Sequence, residues 1–291
     1  MQTTRYCGDL IMSNPERIVI DDLVVLGNAC PDELSDMRVS VCTAGFSPTY
    51  GLVRVYPVPP ISPMKRWNVV RVPLERNPKD TRVESWKVQG SNMEWDKITE
   101  KIQKSGSIRS KKDKRDLLDE LYGKFGATCI KELNRKKVSL GFIKPSISGH
   151  ALESRNSLDT TVQERFGDST TRFLTKRNYS LIPMLSYRCS GCEIAGQHNQ
   201  QILEWGLYEW MRNHPEKPEQ MWENLGIDKE GYECMLLVGN NNKYRTSFMV
   251  ISILPIVMKT EMKGKAFPDF QSTLLQYGDG TELRSSHSTR V

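Results

Sequence analysis

RVSVCTAGFSPTYGLVRVYPVP, residues 38–59, holds two β-rich segments, RVSVCTAGF and GLVRVYPVP, with Val41, Val53 and Val55 at spacings that suit a pleated strand. Before them, LVVLG (23–27) reads as a first buried strand, ended by the turn-rich NACPDELSDM. After them, WNVVRVPLER (67–76) alternates apolar Val70 and Val72 with Arg71, and VESWKVQG (83–90) adds a fifth candidate. Five short strands joined by Pro- and Gly-containing turns predict a small barrel or sandwich.

Further along, the period changes. EWDKITEKIQK and KRDLLDELYGKF place apolar residues three and four apart, which predicts a basic helical insertion over about 94–137. VSLGFIKPSI (138–147) returns to strand character, and the polar, poorly periodic 149–178 reads as a loop or arm. LIPMLSYRC (181–189) is a strand. A helix is expected from about Asn199 to Arg212, with Ile202, Leu203, Leu207 and Trp210 on one apolar side, and PEQMWENLG forms a shorter one. YECMLLVGNNNKYRTSFMVISILPIV (232–257) reads as a hairpin around an Asn/Lys-rich turn. The expected domains are 1–148, carrying the insertion, and 179–258, with 149–178 between them and 259–291 as a tail.

A chain of 291 residues and 33.3 kDa has room for two cores. A mean hydropathy of −0.51, no apolar run long enough to span a bilayer and no secretory h-region at the N-terminus lead to the expectation of a cytoplasmic protein without membrane partners. The seven cysteines are odd in number and scattered, unlike a disulfide framework. Charge is uneven: residues 1–50 carry three Lys/Arg against seven Asp/Glu, whereas 51–150 carry 22 against 11. Such a positive stretch suits a polyanionic partner, because each neutralised phosphate releases counterions; a solvated helix face is the alternative for 107–126.

YRCSGCEIAGQHNQQILEWGLYEW (187–210) contains a C-x2-C-x5-H cluster, Cys189, Cys192 and His198, which has the ligand types of a zinc site. Gly191 and Gly196 let the backbone fold round an ion. A structural zinc knuckle is the favoured reading, with a metal-free turn and a catalytic zinc as alternatives. Three ligands leave a fourth to be found, and Cys234 or Glu193 are the candidates. Asp80, Arg82 and Glu84 sit two apart on a strand face and read as an ion-pair network fixing a turn; the alternative is metal binding for phosphodiester chemistry. No phosphate-binding glycine loop and no nucleophile elbow are present.

Taken in order, VCTAG (41–45), GLVRVYPVP (51–59), DTRVES (80–85), SLGFIKP (139–145), the Cys/His stretch with LEWGLYEW and the closing LLVGN…SFMVISILP resemble a family of prokaryotic dual-OB-domain proteins. The resemblance covers roughly residues 21–257. It departs at Glu204-Trp205-Gly206, where the family helix carries a second carboxylate, and at Val83, where the family has proline. It implies an α+β fold of two OB-like small β-barrels, with the basic helical insertion and a zinc-knuckle-plus-helix element, and an association with phage-defence or mobile-element contexts. OB barrels bind single strands through basic grooves and stacking aromatics.

Arg54, Tyr56, Trp67, Arg71, Arg82 and Trp86 on the expected first barrel, with Lys111, Lys112, Lys114 and Arg115 in the insertion, are therefore the candidate nucleic-acid-binding residues. No catalytic residue is assigned. The expected function is non-catalytic binding of nucleic acid, single-stranded and either DNA or RNA, within a defence or counter-defence complex that supplies a protein partner. A pure protein-interaction module and a metal-dependent nuclease are the rival readings.

Overall fold

The computed structural model describes residues 16–91, 93–155, 174–192, 197–227 and 230–257. The expected tail at 259–291 lies outside them. The first unit is built from β1 (Arg17–Asn28), β2 (Asp32–Glu33), β3 (Val39–Ser47), β4 (Gly51–Val58), β5 (Asn68–Arg76) and β6 (Ser85–Val88). Five of these close into a barrel in the ring order β1-β3-β4-β6-β5 and back to β1. Numbered along the chain, the ring runs first, second, third, fifth, fourth. Every contact is antiparallel except β4 with β6, where Arg54 faces Ser85 and Val55 faces Trp86. This closed five-stranded barrel is compatible with an OB-like fold.

The insertion is only partly helical. Trp95–Lys101 forms a 3-10 turn, and β7 (Gln103–Ser107) is a strand that pairs with Asn68–Arg71 of β5. The apolar spacing of 94–104 thus supports only the short 3-10 segment before the KSGS run, whose serines and glycine disfavour a helix. Helix α1 (Lys111–Phe125) follows, started by Ser110, whose hydroxyl accepts from the Asp113 amide at 3.3 Å, and anchored by buried Leu118 and Leu121. Next come β8 (Gly126–Ala127) and α2 (Ile130–Arg135).

The second unit comprises β9 (Leu140–Ile143), β10 (Ser146–Ser154), β11 (Leu181–Arg188), β12 (His198–Gln201), α3 (Trp205–Asn213), α4 (Gln220–Leu225), β13 (Tyr232–Asn240) and β14 (Phe248–Val257). One sheet runs β10-β11-β12 and another β14-β13-β9-β8. Only Lys144 and Pro145 separate β9 from β10, and a parallel bridge between Ile202 and Val250 joins the opposite edges. Residues 139–148, grouped by sequence with the first domain, therefore pair with β13 and β11. The arm expected at 149–178 begins as strand through Ser154, and 156–173 lie outside the described residues. Asn199–Gln201, expected in a helix, are strand, because β11 offers a ladder partner before Trp205.

Strand alternation sorts the apolar side chains into three clusters. Leu23, Val25, Val53, Val55, Val70 and Val72 fill the first barrel. Tyr187, Ile202, Tyr208, Leu236, Val238 and Val250 belong to the core of the second unit. Their neighbours on the other faces, Val24, Leu26, Ala44, Phe46 and Leu52, meet Leu140, Phe142, Met235, Leu237 and Ile251 in a shared seam that α1 also joins. The outer face of β1, β3 and β4 is consequently covered. This is why LLVGN and ISIL are apolar without alternation: both of their faces are buried.

Polar groups fasten the seam. Arg66 Nη1 meets Glu204 Oε1 at 2.5 Å and Ser252 Oγ at 2.7 Å, while Glu204 Oε2 accepts from the Ile253 amide at 2.7 Å. Arg54 donates to the Ser139 carbonyl at 3.1 Å, passing where a side chain at Gly239 would come within 2.7 Å of its guanidinium. Glycine is required there by this close approach.

Candidate metal centre

Three chain segments meet at one end of the second unit. Cys129 stands at the N-terminal boundary of α2, Cys189 and Cys192 follow β11, and His198 opens β12 opposite Tyr187. The Cys189 carbonyl accepts from the Cys192 amide at 3.2 Å, which folds the C-x2-C segment into a tight turn. Gly191 lies so close to Thr128 that an added Cβ would be 2.2 Å from its hydroxyl, and its amide donates to the Thr128 carbonyl at 3.2 Å. That contact packs the knuckle against the residue preceding Cys129.

The four ligand atoms lie within 4.8 Å of one another. Cys192 Sγ is 3.4 Å from Cys129 Sγ and 3.0 Å from His198 Nε2, and Cys129 Sγ is 3.6 Å from the same nitrogen. Metal–ligand bonds of about 2.3 Å to sulfur and 2.0–2.1 Å to nitrogen put tetrahedral ligand atoms about 3.5–3.8 Å apart. The donor set thus fits one metal ion with small side-chain adjustments. Burial, then the nearby Cys129 and Cys192 sulfurs, push the Cys189 thiol well up. Burial also raises Cys129, and it lowers His198, with Lys131 adding to that effect. The neutral imidazole is the form that ligates, and a cation would reverse the penalty on the thiolates.

Sequence spacing found three of the four residues that could hold a metal ion. The fourth is Cys129, 63 residues before Cys192. Cys234 is not in the cluster: it lies on β13 and packs against the second core. Glu193 and Gly196 lie outside the described residues. Cys129 carries no local signature in ATCIKEL, and its role follows only from α2 being brought to β11.

A family model described as a domain of unknown function, DUF8758, matches residues 20–120, the first barrel and much of α1. No curated protein and no solved structure matches the chain. Among the described residues, no helix is long and apolar enough to cross a membrane.

The residues expected to bind nucleic acid divide sharply. Arg54 and Trp86 are each 4% exposed and Arg82 is 9%, so they cannot present a groove. Arg82 Nη1 donates to the Asn240 carbonyl at 2.6 Å and its other nitrogens hold Asp80. Arg76, rather than a base, stacks on Trp86 at 3.6 Å. Trp67 is likewise buried in the seam, 5.4 Å beneath the Lys114 ammonium. Tyr56 is half-buried. Arg71 is exposed and paired with Asp21 at 2.7 Å, Lys111 and Lys112 are exposed, and Lys114 and Arg115 are half-buried. Alternation on β4 placed Arg54 and Tyr56 on an outer face; the second unit covering that face was not encoded locally.

The acidic trio reads as a structural network. Asp80 is bound to Arg82, and Glu84 Oε1 accepts from the Ser139 amide at 2.8 Å, leaving neither carboxylate directed at a ligand.

Proposed function

We propose that the protein is a non-catalytic binder of single-stranded nucleic acid, built on two OB-like barrels and fastened by a structural zinc ion at Cys129, Cys189, Cys192 and His198. Three thiolates and an imidazole suit zinc, and four protein ligands leave no open position for substrate. The second-barrel reading is supported by connectivity. With β9 and β10 taken as one bent strand, the order first, second, third, fifth, fourth recurs, and the parallel contact again joins third to fifth. Its place in a phage-defence or counter-defence complex rests on the family resemblance.

The observation that carries the binding reading is the density of cations on ordered elements outside the cores. Residues 103–138 hold 11 Lys/Arg against five Asp/Glu, and Lys111 and Lys112 stand exposed at the start of α1. Such a surface attracts phosphates at long range. A mobility-shift titration of the full chain with labelled single-stranded DNA, single-stranded RNA and duplex tests it. Single strands are expected to bind, with affinity falling as salt rises and the strand recovered intact after incubation with Mg2+ or Mn2+. Absence of binding, or affinity indifferent to salt, overturns the reading; cleavage overturns the non-catalytic part.

A further inference from the structure

The face of β3 and β4 is closed by the seam, so a strand must be held elsewhere. The β5–β6 connection (77–84) and the β13–β14 connection (241–247) join the fourth and fifth strands of their respective barrels, and the fold brings them together. Asn242 Nδ2 donates to the Lys79 carbonyl at 3.0 Å and Arg245 Nη2 to Thr81 Oγ1 at 2.8 Å. The C-terminal end of α2 joins them through Asn134 Nδ2, which donates to the Thr246 carbonyl at 3.3 Å.

Resting on the nucleic-acid reading above, we propose that these two loops and the end of α2 form one composite surface that grips a single strand across the boundary between the barrels.

Charge is the first support. Lys79, Arg135, Lys137 and Lys243 are all exposed, and none of them is in an ion pair among the described residues. The acidic groups nearby are already engaged: Asp80 by Arg82, Glu84 by the Ser139 amide, and Glu132 by Lys136 at 2.7 Å. The patch therefore carries a net positive charge, which suits a phosphate backbone better than a protein partner of mixed charge. The second support is a ring available for stacking. Tyr244 is 68% exposed on the 241–247 loop, and Val83 is 72% exposed on the 77–84 loop. Exposed apolar side chains within a basic frame offer sequence-tolerant stacking to unpaired bases, which duplex DNA does not present.

The loop is preorganised. The Asn240 side chain donates to the Arg245 carbonyl at 2.7 Å, the Lys243 amide to Asn241 Oδ1 at 2.8 Å, and the Ser247 amide to the Tyr244 carbonyl at 2.9 Å. A loop held this way loses little freedom on binding. Loops joining the fourth and fifth strands are also where OB barrels meet oligonucleotides; here two such loops are fused into one platform.

Fluorescence anisotropy of the full chain with fluorescein-labelled oligo-dT and oligo-rU tests this. Tyr244→Ala is expected to weaken binding about tenfold or more, with Tyr244→Phe restoring it, since stacking on one aromatic is of that order. Lys137→Glu with Lys243→Glu is expected to lower the salt slope by about 0.7 for each phosphate that is no longer neutralised. All three are surface changes, so melting temperature is the control for folding. If wild type binds, Tyr244→Ala and the double reversal match it, and only Lys111→Glu with Lys112→Glu weakens binding, then the composite surface is wrong and the general binding reading stands. If wild type binds neither oligonucleotide, both fall.

Discussion

The two halves of the molecule share a strand order but close by different means. The first barrel is sealed by backbone ladders, even its shortest junction, β4 with β6, pairing two residues on each strand. The equivalent junction in the second half is a single bridge, Ile202 with Val250, backed by the Leu203 amide donating to the Val250 carbonyl at 2.7 Å. Side chains take over where the ladder is short. The Cys/His cluster, which could hold a metal ion, gathers side chains at the ends of α2, β11 and β12, and Glu204, beside the bridge, is held by Arg66 from the first barrel. Backbone pairing is local and cooperative, whereas ligation and ion pairing act at a point. The second half is accordingly the one that chemistry can unfasten.

The largest effect should come from the proposed metal ligands. Structural zinc contributes on the order of 10 kcal/mol of binding free energy in small zinc domains. Cys129→Ser is expected to abolish stoichiometric zinc and to lower stability severely, while Cys234→Ser keeps the metal and costs little. Elemental analysis with thermal melts separates these outcomes, and metal loss in the Cys234 variant would contradict the ligand set. Hydrogen exchange on metal-stripped protein tests the asymmetry directly. Amides of β11 and β12 should lose protection before those of β3 and β4, and simultaneous loss would mean that the seam makes both units one cooperative whole.

Next in size is the buried Arg66–Glu204 pair, whose side chains are 8% and 6% exposed. Removing one partner strands the other charge, so Arg66→Ala is expected to destabilise by about 3–5 kcal/mol in denaturant titrations. Replacing both by apolar residues should recover part of this, because the desolvation cost then vanishes. An Arg66→Ala variant as stable as wild type would show that the seam relies on its apolar layer alone.

How far these features could be read in advance follows from what each depends on. The barrel strands were legible at residues such as Val53, Val55, Val70 and Val72, because period-two alternation is a local pattern. The 232–257 hairpin was legible for a different reason, two continuous apolar runs around an Asn/Lys-rich turn. Three of the four candidate ligands were visible because a two-residue gap between thiols is itself a geometric statement and His198 follows six residues on. Cys129 was not, since nothing near it says that α2 will reach β11. Arg54 was misplaced because alternation tells which face a side chain is on, and only the packing of a second layer tells whether that face sees water; Trp86 instead packs into the first barrel's own core, and Trp67 and Arg82 lie just outside the strands, where the seam and the Asn240 carbonyl take them up. Asn199–Gln201 are strand rather than helix because a ladder partner outweighs the weak helix signals in NQQ.

The smallest effect tests the loop platform rather than the cores, and it does so through pH. Asp80 is 9% exposed, and burial alone would raise its pKa; hydrogen bonds and charge from Arg82 outweigh that and hold the carboxyl below its ordinary value. A carboxylate depressed on folding adds stability that is complete above its unfolded pKa of about 3.9 and is lost as pH falls through the folded value. Asp80→Asn is expected to cost about 1.5–3 kcal/mol at neutral pH, the range for hydrogen bonds to a charged group. The gap between wild type and variant should narrow as pH drops below about 4. Acid also strips metal from thiolates, but it does so in both proteins, so the difference between them isolates the Asp80–Arg82 contribution. If the gap stays constant with pH, then Arg82 is held by the Asn240 carbonyl rather than by Asp80, and the junction between the two loops does not depend on charge.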